Sequence, residues 1–154
     1  MFCVLLRHNT PRRSQPIVFK IAEFESVEQN LASVMMPFAP MFDSVYHTLQ
    51  RAAVSVKMAL QRADNIWEHS VIVQDIVSLI DRSRVVICDC TDKNSNVFYE
   101  IGIAHTLGRE VILITQNGDD VPFDLHHHRY VRYSPTPDWA CPATNRNSGA
   151  LHHN

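Results

Sequence analysis

The sequence predicts a doubly wound α/β domain, with a five-stranded, mainly parallel sheet and helices on both faces. Short apolar runs rich in β-branched residues alternate with amphipathic segments of helical periodicity, and short polar loops join them. Strands and helices that alternate in this order form right-handed βαβ units, which build parallel sheets. With 154 residues, of which 45% are hydrophobic, the chain is long enough for one domain with a sizeable core.

The first half of the chain contains two predicted strand–helix units. Residues 32–36 form a short apolar strand that Pro37 stops. A helix follows, from residue 42 or 43 to residue 53, with its apolar side chains on one stripe. Residues 54–60 alternate between apolar and polar side chains, which is typical of a strand, and residues 70–81 form a helix with an apolar inner face.

The second half adds three strands and one helix. A β-branched run predicts a buried strand at residues 84–88, and a helix follows over residues 96–107 until Gly108 ends it. Residues 111–114 form a further buried strand, and residues 130–133 form the last strand, at an edge of the sheet. Together these elements predict a compact domain with five strands.

The domain is expected to span residues 31–133. Before it, residues 1–30 form an N-terminal arm with a candidate extra strand at residues 17–21. After it, residues 134–154 form a Pro- and Asn-rich tail that is expected to be poorly ordered.

The charge, the apolar runs and the cysteine spacing of the chain limit its expected partners and its cellular compartment. The formal net charge is −2 and the chain has only three lysines, so no basic stripe is present and a nucleic-acid polymer is not an expected partner. No apolar run approaches the length of a membrane span, so no membrane contact is expected. The four cysteines lack a CxxC spacing, which favours small buried thiols in a reducing compartment over a disulfide or a zinc site. The chain is therefore expected to be cytoplasmic.

The sequence lacks the motifs of several enzyme classes. The four glycines form neither a GxGxxG nor a P-loop, which disfavours dinucleotide-dependent dehydrogenases and P-loop NTPases. No GxSxG elbow supports a serine hydrolase. The histidines at 126–128 lack a metal-binding spacing, so a solvated loop is expected there. No metal or other cofactor is expected for the protein.

Carboxylates form the strongest candidate site. Asp89 ends a buried strand, and Glu100 is expected in the first turn of the next helix, where free N–H groups favour its ionised form. The carboxyl end of a strand is the usual ligand crevice of open α/β sheets, so Glu100 is a candidate nucleophile. The alternative is a structural partner of the helix dipole. Gly102 suggests a close approach of helix and strand beside the crevice.

Other polar residues lie at the same predicted edge. Asp92 and Asn94 occupy the loop before the helix, where solvated turn residues are the alternative. Arg62 and Asp64 follow the second strand, and their alternative is a surface ion pair. Asp75 follows an inward-facing apolar run of its helix, so it is a further candidate.

The segments Val86–Thr91 and Asn96–Ala104 resemble the glutamate motif of the nucleoside 2-deoxyribosyltransferase-like superfamily, and are most similar to a bacterial branch described as TIR-like or predicted nucleotide-binding proteins. The resemblance covers roughly residues 31–133. It is supported by four further matches: Met35–Phe38, which contains Pro37, Arg62–Asp64, Gln116 and Pro122–Leu125.

The resemblance implies a flavodoxin-like domain that cleaves N-glycosidic bonds of nucleosides or nucleotides, without a cofactor. Glu100 falls at the position of the superfamily's nucleophilic glutamate. Asp75 lies near the position of the helix aspartate that contacts the sugar in deoxyribosyltransferases. The acid that precedes the nucleophile in the family has only Asn94 or Asn96 as its nearest counterpart here. A second subunit often closes the crevice in these folds, so a homo-oligomer is an option.

The remaining roles follow from the same chemistry. Asp89 or Asp92 would hold ribose hydroxyls or help to protonate the leaving base. Phe38 and Phe123 would stack on the base, with Pro37 and Gln116 also in the substrate site, and Arg62 would meet a phosphate. Two alternatives stay open: a TIR-like enzyme that cleaves NAD, and a nucleotide-binding module without catalytic activity in signalling or defence.

Overall fold

The structure is a computed structural model that describes residues 27–63 and 72–134. Its strands are β1 (Glu28–Met35), β2 (Ala59–Arg62), β3 (Ser83–Asp89), β4 (Glu110–Thr115) and β5 (Tyr130–Arg132). Its α-helices are α1 (Asp43–Ser55), α2 (Ile72–Arg82) and α3 (Ser95–Thr106). Short 3-10 helices lie at Pro40–Phe42, Thr91–Lys93, Gly118–Asp120 and Phe123–Leu125.

The five strands form one sheet in the order β2-β1-β3-β4-β5, and every neighbouring pair is parallel. The prediction of a doubly wound, flavodoxin-like α/β fold is confirmed. From β1 the chain moves outward to β2, then crosses back to β3 on the other side of β1. The carboxyl ends of β1 and β3 therefore flank the point where the strand order reverses, which is where such sheets bind ligands.

Two apolar layers cover the sheet. Because side chains alternate along a strand, β1 sends Leu31 and Met35 to one face and Val34 to the other. The first face packs against α2 and α3, through core residues such as Leu79 and Ile101. The second face packs against α1 and also receives the ring of Tyr133, which follows β5. Among the described helices, none combines the length and apolar character needed to cross a bilayer.

The predicted strand at residues 54–60 is wrong at its start. Helix α1 continues to Ser55, and Lys57, with φ at 60°, marks the change of chain direction before β2 begins at Ala59. The alternating residues Val54 and Val56 are 71% and 65% exposed, so their pattern does not reflect a buried strand face. Alternation over a few residues is a local signal, and here the end of a helix produces it.

The other boundaries differ less. β1 begins at Glu28, inside the segment predicted as an arm, and α2 and α3 lie within two residues of their predicted ranges where the structure describes them. Gly102 does not lie against a strand: a Cβ added there would have no heavy atom within 4 Å, apart from those of its own helix backbone. The candidate strand at 17–21, the start of the second helix at 70–71 and the tail after Ser134 lie outside the described residues.

Candidate functional site

The carboxyl ends of the parallel strands bring most of the candidate residues to one edge of the sheet. Pro37 and Phe38 follow β1, Asp89 ends β3 and Gln116 follows β4. Helix α3 starts from the same edge, after a loop of five residues that follows β3. These residues therefore lie at the carboxyl ends of the strands, the sheet edge at which the sequence predicts a site.

Glu100 is a buried acid that has no charged partner in the part of the chain that the structure describes. It lies in the second turn of α3 and is only 7% exposed. Burial raises its pKa from 4.5 to about 7, because an ionised carboxylate loses its hydration there. Among the described residues, none hydrogen-bonds or ion-pairs with this carboxylate. Burial raises the pKa of the Cys88 thiol, and the nearby charge of Glu100 adds to this shift, which locates the Glu100 carboxylate near the carboxyl end of β3.

The expectation that the start of the helix would favour the ionised form of Glu100 is wrong. Asn94 is the N-cap and Ser95 the first helical residue, so Glu100 lies beyond the first turn, where the free N–H groups are. Burial therefore decides its pKa. Near neutral pH both the acid and the carboxylate form are populated, so the group can attack as a carboxylate or donate a proton as an acid.

Asp89 is fully buried and its carboxylate accepts three hydrogen bonds. Oδ1 accepts from the backbone N–H of Thr91 at 3.0 Å and from the Thr91 hydroxyl at 2.5 Å, and Oδ2 accepts from the Tyr133 hydroxyl at 2.5 Å. Burial raises the pKa of Asp89, while these hydrogen bonds act in the opposite direction. The carboxylate thus joins three segments of the chain.

Gln116 completes this buried polar cluster. Its backbone N–H donates to the Thr91 hydroxyl at 3.1 Å, and its side-chain amide donates to the Tyr133 hydroxyl, also at 3.1 Å. The sequence points to Asp89 and Gln116 as site residues, but not to Thr91 and Tyr133. The available signal was a hydroxyl at or near the end of a predicted strand, a signal that many other residues share.

The loop between β3 and α3 holds three more of the predicted residues. Asp92 is exposed with φ at 61°, and its backbone N–H donates to a carboxylate oxygen of Asp120 at 3.0 Å. The Asn94 side chain accepts from the backbone N–H groups of Asn96 and Val97, so it serves as the N-cap of α3. Asn96 itself is exposed.

Phe38 and Arg62 form one aromatic–cationic group at the carboxyl ends of β1 and β2. Phe38 is 55% exposed, while the Arg62 guanidinium lies 5.9 Å from its ring centre and 4.6 Å from that of Tyr46. Arg62 also pairs with Asp43 at 3.3 Å, and its side chain is 11% exposed. Its described contacts therefore hold it against the protein, next to a half-exposed aromatic face.

The remaining predicted residues are dispersed. Phe123 lies in a 3-10 helix after β4 and is 80% exposed, whereas Asp75 on α2 is 4% exposed. Asp64 lies outside the described residues. His127 and His128 contact each other and His128 stacks on His105, but among described residues no group of three potential ligands could hold a metal ion.

Comparison with known proteins gives matches to solved structures but none to family models or curated sequences. The 2-desoxiribosyltransferase from Leishmania mexicana has a similar fold, with a TM-score of 0.51 and 17% sequence identity. The similarity covers 57% of this chain and 65% of that protein, so the chain spans just under two thirds of its length. At this identity the comparison shows a shared fold.

Proposed function

We propose that the chain cleaves or transfers the N-glycosidic bond of a nucleoside or nucleotide, with Glu100 as nucleophile. The observation that carries the proposal is the state of Glu100: it is buried, has no charged partner within residues 27–63 and 72–134, and lies near the end of β3 where the strand order reverses. A structural partner of the helix dipole would lie in the first turn, and Glu100 does not. The fold shared with a 2-desoxiribosyltransferase supports the same chemistry.

The reaction is a double displacement at the anomeric carbon. The Glu100 carboxylate attacks C1′ and forms an ester bond, while the bond from C1′ to the base nitrogen breaks and the base leaves with that electron pair. A proton from a nearby acid or from water neutralises the base. Water or a second base then attacks C1′, breaks the ester and restores the carboxylate, which gives hydrolysis or transfer.

The other predicted residues support substrate binding. The half-exposed ring of Phe38 and the exposed ring of Phe123 offer surfaces for stacking on a base. Asp92 is accessible to sugar hydroxyls, whereas Asp89, with three protein donors, acts by holding the loop. The sequence-based assignment of further residues to the substrate site stays part of the proposal: Pro37, Asp64, Asp75, Asn96 and Gln116. A phosphate would reach Arg62 only by displacing the contacts that this side chain makes with the protein, among them the ion pair with Asp43.

The test is to incubate the protein with a panel of nucleosides, nucleotides and NAD, and to measure the released base by chromatography. Glu100→Gln removes the nucleophile but keeps the side-chain size, so we expect release to fall by at least about a thousandfold. Glu110→Gln, on the exposed start of β4, is the matched control and should keep full activity. In the wild type the rate should rise with pH up to about 7, since the carboxylate must be ionised to attack.

The panel also separates the alternatives. Release of nicotinamide from NAD, with no base from nucleosides, would favour a TIR-like NAD-cleaving enzyme. The superfamily that the sequence resembles has an acid before its nucleophile, and the nearest counterparts here are Asn94, which caps α3, and Asn96. This difference favours a binding module without cleavage. Nucleotide binding by calorimetry with no released base after long incubation would support that module, and retained activity in Glu100→Gln would remove Glu100 from the nucleophile's role.

A further inference from the structure

We infer that Tyr133 is a positioning residue that fixes Asp89 and, through it, the loop that starts the helix carrying Glu100. This inference rests on the proposed function, because it assigns Tyr133 a part in that reaction. Tyr133 lies one residue beyond β5, far from Glu100 in sequence, and does not belong to the motif that identified the site. Its hydroxyl nevertheless reaches the buried carboxylate at the end of β3.

The direction of the hydrogen bonds supports this role. A backbone N–H can only donate, so the Thr91 hydroxyl accepts from Gln116 and directs its own proton to Oδ1 of Asp89. On the other side, the side-chain amide of Gln116 donates to the Tyr133 hydroxyl, which directs its proton to Oδ2. Two parallel relays thus run from Gln116 to the two oxygens of Asp89. The two hydroxyls also lie 3.4 Å apart.

The loop that these relays hold is strained. Asp92 and Lys93 have φ angles of 61° and 53°, in the left-handed region that residues other than glycine rarely adopt. Such a conformation persists when neighbouring contacts impose it. Thr91, immediately before the strained pair, is bound to Asp89 through both its backbone and its hydroxyl. Removing one relay should therefore loosen the loop.

The loop leads directly into the catalytic helix. Asn94 follows the strained pair and caps α3, six residues before Glu100. Tyr133 thus holds Asp89, and Asp89 holds Thr91. The loop that begins at Thr91 in turn fixes the start of α3. A loosened cap lets α3 shift along the sheet, and a displacement of about 1 Å at a reacting group can lower the rate about a hundredfold.

The test compares Tyr133→Phe with Tyr130→Phe, which deletes the same hydroxyl from the same strand region. Tyr133→Phe should lower kcat for base release by tenfold or more, with KM changed less than threefold, whereas Tyr130→Phe should change neither beyond twofold. Equal effects of the two variants, or a kcat of Tyr133→Phe within twofold of the wild type, would overturn the inference. Should Tyr133→Phe not fold, Thr91→Val tests the second relay, with Thr91→Ser as the control that keeps the hydroxyl.

Amide hydrogen exchange separates this inference from the proposed function. Tyr133→Phe should accelerate exchange at residues 91–97 at least fivefold while exchange in α1 stays unchanged, whether or not the protein releases a base. Unchanged exchange at residues 91–97 would show that Tyr133 does not hold the loop. If the exchange changes as expected but the wild type releases no base from any substrate of the panel, the proposed function fails and the structural link stands.

Discussion

At the scale of single residues, two buried carboxylates near the carboxyl end of β3, Asp89 and Glu100, have opposite surroundings. Asp89 ends β3 and is surrounded by donors, while Glu100 lies above the same strand with none among the described residues. Burial raises the pKa of both. The difference fits a division of labour, since a carboxylate with satisfied oxygens holds structure and one with free oxygens can react.

The raised pKa of Glu100 predicts how stability depends on pH. The folded protein binds the proton more tightly than the unfolded chain, so the free energy of unfolding falls as pH rises from 4.5 to about 7. The loss corresponds to about 3 kcal/mol at most. Glu100→Gln removes this contribution. The free energy of unfolding of the variant relative to that of the wild type should therefore increase between pH 4.5 and pH 8. Urea unfolding at both values measures it.

The control for this experiment is Glu110→Gln, because Glu110 is exposed at the start of β4. Asp89 also has a raised pKa and adds its own pH dependence to every variant, which the comparison between wild type and variant cancels. A pH dependence that is the same in the wild type and in Glu100→Gln would show that Glu100 is not buried as an acid in the folded protein.

The position of Glu100 could be predicted from the sequence, but its chemistry could not. A strand end, a polar loop and an acid in the following helix are visible in the printed residues. The pKa depends on what covers the side chain, and that depends on how α3 packs on the sheet. The same reason explains why Tyr133 was missed: its partner Asp89 lies 44 residues earlier in the chain.

At the scale of elements, helix α3 depends on a single side chain at its start. The Oδ1 atom of Asn94 accepts from the backbone N–H groups of Asn96 and Val97, at 3.0 and 3.4 Å, which satisfies donors that the helix itself cannot pair. No acidic residue lies in the first turn to assist. The cap and the buried cluster at Asp89 therefore meet at the two ends of one short loop.

Replacing this cap should destabilise the protein measurably. Asn94→Ala should lower the free energy of unfolding by about 1 kcal/mol, whereas Asn94→Asp keeps an oxygen acceptor and should cost less. Asn96→Ala is the matched control, since Asn96 is exposed and alanine favours a helix. Chemical denaturation gives the three values. Equal losses for Asn94→Ala and Asn96→Ala would mean that the Asn94 side chain does not cap the helix.

The elements show where local patterns are sufficient. The three helices and four of the five strands could be predicted. The helices and the inner strands bury apolar side chains, whereas β5 is exposed at two of its three residues. β2 was placed too early because Val54 and Val56 alternate with polar residues while they remain exposed at the end of α1. A left-handed turn at Lys57 separates the two elements, and the sequence contains no glycine there to indicate it.

At the scale of the whole molecule, the described helices and loops cover the two faces of the sheet unequally. On one face, α2, α3 and the segment between β4 and β5 pack over the central strands, and Leu113 of β4 is 1% exposed. On the other face α1 covers the side near β1, while Ile112 of β4 and Val131 of β5 remain 41% and 52% exposed. Burial near β4 and β5 therefore comes mainly from one side.

This asymmetry predicts that neighbouring residues of β4 contribute differently to stability. Leu113→Ala should lower the free energy of unfolding by about 3 kcal/mol, because it removes buried methyl groups and leaves a cavity between β4 and the helices. Ile112→Ala should cost no more than about 1 kcal/mol, because the side chain keeps much of its contact with water in the folded state. Thermal and urea unfolding of both variants measure the difference. Similar losses for the two variants would mean that the α1 face near β4 is covered in solution, since an exposed isoleucine cannot contribute as much as a buried leucine.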